Sequence, residues 1–321
     1  MTRTGERHVP VLFEEAIDFL HVRPNGTYVD CTLGLAGHTE GIVRQLGPQG
    51  RLIGFDRDHQ ALELARERLD RVREELGSQA PGVTLIAEAF STIARHVKPA
   101  SVDGLLADFG VSSLQFDEAR RGFSFQADGP LDMRMNTRSG PTAAQVVNEI
   151  SERELANLIY ENGEERRSRT VARAIVRGRP IATTGQLARI VASVLPTIKR
   201  DRKKGHIHPA TRTFQALRIY VNRELDEIRD LLEAAPDLLK PSARLVVISF
   251  HSLEDRIVKD SLRDGAQKGI WEILTRKPVT AGEEETETNP RSRSAKLRAA
   301  ERLEAVRSSQ FSASTGPPKR N

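Results

Sequence analysis

Four short apolar runs recur through the first third of the chain: Thr27-Tyr28-Val29-Asp30, Arg51-Leu52-Ile53-Gly54-Phe55-Asp56, Val83-Thr84-Leu85-Ile86-Ala87 and Val102-Asp103-Gly104-Leu105-Leu106-Ala107-Asp108. Three of them close on an aspartate. Between the second and third, Leu62, Ala65, Leu69, Val72 and Leu76 repeat at helical spacing across Gln60 to Leu76. Strand, helix and strand in succession predict a parallel sheet, because parallel neighbours need a long crossover and helices to cover both faces. The expected fold is α/β, a doubly wound open sheet.

After Val111 the rhythm changes. Arg121-Gly122-Phe123-Ser124-Phe125 through Gly129-Pro130-Leu131-Asp132-Met133-Arg134-Met135 reads as an ordered loop. Helical patterns follow over Ala143 to Ile159, Arg166 to Arg177 and Thr184 to Val194. The next strong strand is Ala243-Arg244-Leu245-Val246-Val247-Ile248-Ser249. It is preceded by a long helix, Arg212 to about Leu232, with Phe214, Leu217, Val221, Leu225 and Ile228 on one face. We therefore expect a sheet domain from 1–113 and 213–321, interrupted by an inserted helical domain at 114–212. Final strands are expected at Trp271 to Thr275 and Ala295 to Ala300, and disorder from about Ser308.

Charge is segregated. The net charge is only +5 over 321 residues, yet Glu164 to Arg218 holds fourteen Lys/Arg against three Asp/Glu, and Asn289 to Asn321 holds eight against two. Basic charge gathered in this way suits a polyanion such as RNA, although a solvated helical face has the same composition. The cluster Lys199-Arg200-Asp201-Arg202-Lys203-Lys204 is expected to contact phosphate. No apolar run approaches the roughly 18 residues of a membrane span, and Met1 to Pro10 lacks a signal core, so a cytoplasmic protein is expected. A single cysteine, Cys31, can make neither an internal disulfide nor a multi-cysteine zinc site.

The first strand opens into Cys31-Thr32-Leu33-Gly34-Leu35-Ala36-Gly37-His38, and the second ends at Asp56, nineteen positions after Gly37. Small residues at a strand's carboxyl end let backbone amides approach a ligand, and an acid about twenty residues on accepts hydrogen bonds from ribose hydroxyls. A nucleoside-containing cofactor is implied. Thr32 stands where a dinucleotide fingerprint wants its first glycine, which favours S-adenosylmethionine, a ligand with no pyrophosphate to cradle. Asp108 ends the fourth strand and should face the same cleft. Such a carboxylate can accept a hydrogen bond from the amino group of a target base, or contact the methionine amino group of the cofactor. Carbon methylation of a pyrimidine needs a cysteine nucleophile, and Cys31 lies in the cofactor turn as a packing residue, so nitrogen or oxygen is the expected acceptor. Ser252 with Asp255 reads as a helix N-cap and its partner, while His251 is placed either facing the cleft or away from it. His206, His208 and His251 have no ligand partners at helical spacing, so no metal is assigned. Phe123 and Phe125 either stack on a base or anchor their loop.

Together these strings resemble the bacterial 16S ribosomal RNA cytosine-N4 methyltransferases, the MraW or RsmH family. The likeness runs through His8-Val9-Pro10-Val11-Leu12, the cofactor turn, Asp56-Arg57-Asp58, Asp108-Phe109-Gly110-Val111-Ser112-Ser113 and Arg121-Gly122-Phe123-Ser124-Phe125. It continues in Pro130-Leu131-Asp132-Met133-Arg134-Met135, His208-Pro209-Ala210-Thr211-Arg212-Thr213-Phe214-Gln215-Ala216 and Ile248-Ser249-Phe250-His251-Ser252-Leu253-Glu254-Asp255-Arg256. The resemblance implies a seven-stranded class I (Rossmann-like) methyltransferase sheet with a helical insertion. It implies N4-methylation of a cytidine in the decoding region of 16S ribosomal RNA, within the small ribosomal subunit. By position, cofactor contacts fall on Ala36, Gly37, His38, Asp56, Phe90, Asp108 and Gln115, beside Gly34 of the turn; Ala36 stands where family members often have glycine. Asp108 is also the catalytic candidate, although Phe109-Gly110-Val111 after it differs from the D-P-P-Y string of DNA amino-methyltransferases. Two other classes remain in view: a non-catalytic RNA-binding assembly factor, disfavoured by the intact Asp56 and glycine turn, and a nicotinamide oxidoreductase, disfavoured by Thr32.

Overall fold

The computed structural model describes residues 10–195 and 208–304. The chain opens with α1 (Phe13–Leu20), then β1 (Thr27–Asp30), α2 (Gly37–Gln45), β2 (Arg51–Phe55), α3 (His59–Leu76), β3 (Gly82–Ile86), α4 (Ile93–His96) and β4 (Val102–Asp108). Six helices follow: α5 (Ser113–Asp117), α6 (Ala143–Glu149), α7 (Glu152–Gly163), α8 (Ser168–Arg177), α9 (Thr184–Val194) and α10 (Thr211–Asn222). The chain returns through α11 (Glu224–Leu238), β5 (Leu239–Ser249), α12 (Ser252–Gln267), β6 (Trp271–Ile273), α13 (Glu283–Thr288) and β7 (Lys296–Arg302).

The strands form the expected doubly wound seven-stranded sheet, in the order β3-β2-β1-β4-β5-β7-β6. Neighbours from β3 to β5 are parallel, and β7 runs antiparallel to both β5 and β6. Alternate residues of the central strands feed opposite layers, which is why these strands read as nearly unbroken apolar runs. Leu106, Val246 and Ile248 pack with α1, α2 and α3, whereas Leu105, Ala107, Leu245 and Val247 pack with α11 and α12. Register sets Asp30 beside Leu106 and pairs Asp108 with Ile248, so the carboxyl tips of β1, β4 and β5 come out at one edge. The acid-tipped ends foreseen from sequence are thus neighbours.

A third hydrophobic cluster sits apart from the sheet and gathers Leu131, Met133, Val147, Leu155, Ile159, Val171, Leu187 and Phe214 from the loop and helices between β4 and β5. Here the structure corrects two expected helices. The pattern over Ala143 to Ile159 is broken at Ile150, because the Ser151 side chain and Glu154 form a capping box that starts α7 afresh. The helix expected from Arg212 to Leu232 is also two. Arg223 adopts a left-handed φ of 51° between α10 and α11, and the buried Asn222 side chain bonds the Met133 carbonyl and the Met135 amide at 2.8 Å each. The supposed single face is divided accordingly: Phe214 and Leu217 enter the helical cluster, while Ile228 enters the sheet core.

The loop at 121–135 is tied to the sheet by a buried ion pair. Asp58 caps α3 and accepts from Arg121 Nη1 at 2.7 Å, with both side chains about 7% exposed or less. Arg121 Nη2 also donates to the carbonyls of Arg134 and Met135. Removing one partner leaves an uncompensated buried charge. Arg121→Met is therefore expected to lose about 3–5 kcal/mol of folding stability in urea denaturation; a loss below about 1 kcal/mol would place the pair among weak surface bridges.

Candidate active site

A cleft of about 370 Å³ opens at the carboxyl ends of β1, β2 and β4. Gly34, Gly37, His38, Asp56, Phe90, Asp108 and Gln115 all line it. Gly34 takes a φ of +50°, which suits a residue without a Cβ, and its amide donates to Asp56 Oδ2 at 2.9 Å. Oδ1 of Asp56 accepts from the Asp58 amide at 2.8 Å. Burial pushes the Asp56 carboxyl up to about 6; the Asp58 and Gly34 amides pull against it, and the charge of Asp58 adds to the rise. Gly37 begins α2 where any side chain would run into the Pro10 ring. Ala36 is placed differently from the other expected contacts. It is buried beneath the turn, with its amide donating to the Leu33 carbonyl at 2.7 Å, and it is not among the residues lining the cleft.

Thr32, the departure from a dinucleotide fingerprint, has a structural use. Its Oγ1 accepts from the Asp108 amide at 2.6 Å and so joins the turn after β1 to the tip of β4. Asp108 Oδ1 is buried and has no hydrogen-bond partner among the described residues. Its Oδ2 lies 3.7 Å from His38 Nδ1. His38 Nε2 is 3.1 Å from the Val11 carbonyl, which can only accept, so this nitrogen carries a proton. Burial holds the Asp108 carboxyl well above the ordinary carboxylate range, and the charges of Asp30 and Glu254 raise it further. Gln115 reaches the cleft with its side chain already engaged, Nε2 donating to Asp58 and Oε1 accepting from the Ser112 amide. Phe90 lies against Phe109, ring centroids 5.8 Å apart, as an apolar wall. Cys31 is 1% exposed in the sheet core, and burial pushes its thiol well up.

Four further lining residues went unread in the sequence: Arg218, Glu224, Phe250 and Glu254. Arg218 donates to both oxygens of Glu224 at 2.9 Å. The cap of α12 is also one residue away from the expected position. His251, not Ser252, caps the helix, with Glu254 as its capping-box partner. Ser252 instead donates to Glu164 at 2.6 Å, and Asp255 pairs with Lys296 and Arg298 of β7. An i,i+3 pair starting at His251 fits the same capping spacing, but histidine is not a residue expected there. Burial pushes Glu254 up, yet His251 and Arg218 outweigh it and leave the carboxyl below its ordinary value. Ligand atoms of Glu224, His251 and Glu254 lie within 4.8 Å of one another. Both oxygens of Glu224 already serve a guanidinium, so the positive charge of this cluster is Arg218 itself.

Phe123 is buried, and Phe125 packs against Phe214 and His208 at 4.8 and 4.6 Å, so both anchor the loop. Lys199 to Lys204 and His206 fall outside the described residues, as do the positions from Ser308. Among those described, Arg166, Arg169, Arg173 and Arg177 are exposed on α8 or just before it. No helix among the described residues is long and apolar enough to cross a membrane.

Comparison with known proteins places this cleft in context. A protein of Acidobacterium capsulatum named ribosomal RNA small subunit methyltransferase H is 68% identical over 297 residues, covering 92% of this chain and 99% of that protein. One of the same name from Koribacter versatilis is 59% identical over 295 residues, covering 92% and 94%. A third, from Sorangium cellulosum, is 51% identical over 93% of this chain. The profile described as the MraW methylase family matches residues 5–303, and the chain belongs to that family.

Proposed function

We propose that this protein transfers the methyl group of S-adenosylmethionine to N4 of a cytidine in the decoding region of 16S ribosomal RNA, acting on the small ribosomal subunit. The names of its relatives support ribosomal RNA as the substrate. The observation that carries the chemistry is Asp108 Oδ1, a buried acceptor without a partner among the described residues, at the strand tip beside the glycine turn.

The cleft fits the cofactor in size and chemistry. Each oxygen of Asp56 is steadied by one backbone amide and keeps a lone pair for a ribose hydroxyl. Phe90 supplies an apolar face for an adenine ring, and the Gly34 to Gly37 turn leaves room for close approach. When bound, S-adenosylmethionine supplies an electrophilic methyl group on a sulfonium. Asp108 does the rest of the work on the target. The cytosine amine is a poor nucleophile because its lone pair is delocalised into the ring. An acceptor on its N–H favours a pyramidal nitrogen with the lone pair exposed. The new N–C bond would form as the sulfonium–methyl bond breaks and leaves a neutral thioether. The proton the amine gives up would pass to Asp108 in its carboxylate form, which burial makes a stronger base than an exposed aspartate. We assign residues 114–212 to RNA recognition, with the exposed arginines around α8 as phosphate contacts. The base reaches the cleft by leaving its stack.

The test is to incubate small subunits lacking the mark with labelled cofactor and digest the RNA to nucleosides. N4-methylcytidine should carry the label; label found only on ribose would end the proposal. Asp108→Asn should lose roughly a hundredfold in single-turnover rate under saturating cofactor, and an unchanged rate would remove Asp108 from the chemistry. Asp56 gives a pH signature. Its folded-state value lies above the ordinary one, so lowering the pH through about 6 neutralises an unfavourable buried charge while removing an acceptor for ribose. Cofactor affinity measured by calorimetry should weaken by roughly tenfold between pH 7.5 and 5. Asp56→Asn should bind weakly with a flat profile; the same slope in that variant would assign the titration elsewhere.

A further inference from the structure

Part of the cleft lining outside the glycine turn carries chemistry that cofactor binding does not use. Arg218 lies on α10 and Glu224 opens α11, on either side of the left-handed Arg223. Their side chains are 18% and 6% exposed. Nε and Nη2 of Arg218 each donate to a different oxygen of Glu224, which fixes the plane of the guanidinium. Nη1 has no hydrogen bond among the described residues, and Arg218 lines the same cleft as Asp108. Glu254 lines this cleft too, and its charge acts on both Arg218 and Asp108.

The charge state of the pair indicates what it meets. A guanidinium already matched by a carboxylate offers little net charge to a phosphate but keeps oriented N–H donors. Those donors suit a neutral acceptor such as a ring nitrogen or a base carbonyl. Cytosine presents a donor, N4, followed along the same edge by two acceptors, N3 and O2. Uracil replaces the N3 acceptor with an N–H that would face the guanidinium donor to donor. We propose that Arg218, held by Glu224, reads the N3/O2 acceptor edge of the target cytosine while Asp108 faces its amine, making Arg218 a specificity-determining residue. The inference rests on the proposed methylation of a cytidine.

The experiment uses reconstituted small subunits carrying cytidine, 2-thiocytidine or 3-deazacytidine at the target position. The analogues weaken the O2 acceptor and remove the N3 acceptor, respectively. The enzymes compared are the wild type, Arg218→Lys and the charge-balanced Arg218→Gln/Glu224→Gln, each first shown by calorimetry to bind S-adenosylmethionine. Wild type should lose roughly ten- to a hundredfold in kcat/KM on at least one analogue, as expected for a hydrogen bond from a charged donor. The variants should be slow on cytidine, yet lose less than about threefold more on that same analogue, because the contact is already gone. A general packing defect would slow a variant on all three substrates and leave the analogue penalty as large as in wild type. Such equal penalties, or no wild-type penalty on either analogue, overturn the assignment. Wild-type enzyme that leaves cytidine itself unlabelled overturns the methylation proposal as well.

Discussion

Burying several carboxylates together at the tips of parallel strands is the constraint around which this protein is organised. Asp30, Asp56, Asp58, Asp108 and Glu254 crowd one end of the sheet, where like charges in a low dielectric repel strongly. Each is answered differently. Asp30 accepts from Thr39 and the Thr32 amide, Asp56 from two backbone amides, and Asp58 from Gln115 and Arg121. Glu254 accepts from the Phe250 and His251 amides and lies near Arg218. Among the described residues two of these oxygens lack a hydrogen bond: Glu254 Oε1, which lies 3.1 Å from His251 Nε2, and Asp108 Oδ1, which has no such neighbour. That last oxygen is where a substrate has something to offer.

Much of the sheet was legible in the sequence because its signals are local. An apolar run, a small-residue turn and a terminal acid fit within about ten residues, and β1 to β4 with Asp56 and Asp108 fall where those signals point. The helical face of Leu62, Ala65, Leu69 and Val72 was equally plain, since one core buries all four. What could not be read depends on distant partners. Helical periodicity runs through Arg223 without interruption, and the break comes from Asn222 meeting the loop backbone about 90 residues earlier in the chain. The same holds for Arg218 and Glu224. Six residues apart in the chain, they meet because the break folds one helix end toward the next.

The α12 cap shows a subtler failure. Serine is the expected capping residue, and Ser252 with Asp255 has the right spacing. Asp255, however, faces two basic residues of β7, and Ser252 reaches Glu164 in the helical layer. Tertiary pairing outbids local preference, so the cap moves to His251 and turns Glu254 toward the cleft.

The left-handed residue between α10 and α11 also determines which part of the molecule owns each side of the cleft. Arg218 stands on a helix whose apolar residues pack in the helical cluster, whereas Asp56 and Asp108 stand on strands anchored in the sheet. The cleft is therefore lined by residues whose helices and strands pack into different hydrophobic clusters, much as a vice closes with jaws of separate stock. A volume change deep in either cluster, far from any reacting atom, can reach the cleft, because close-packed interiors pass strain on rather than absorb it.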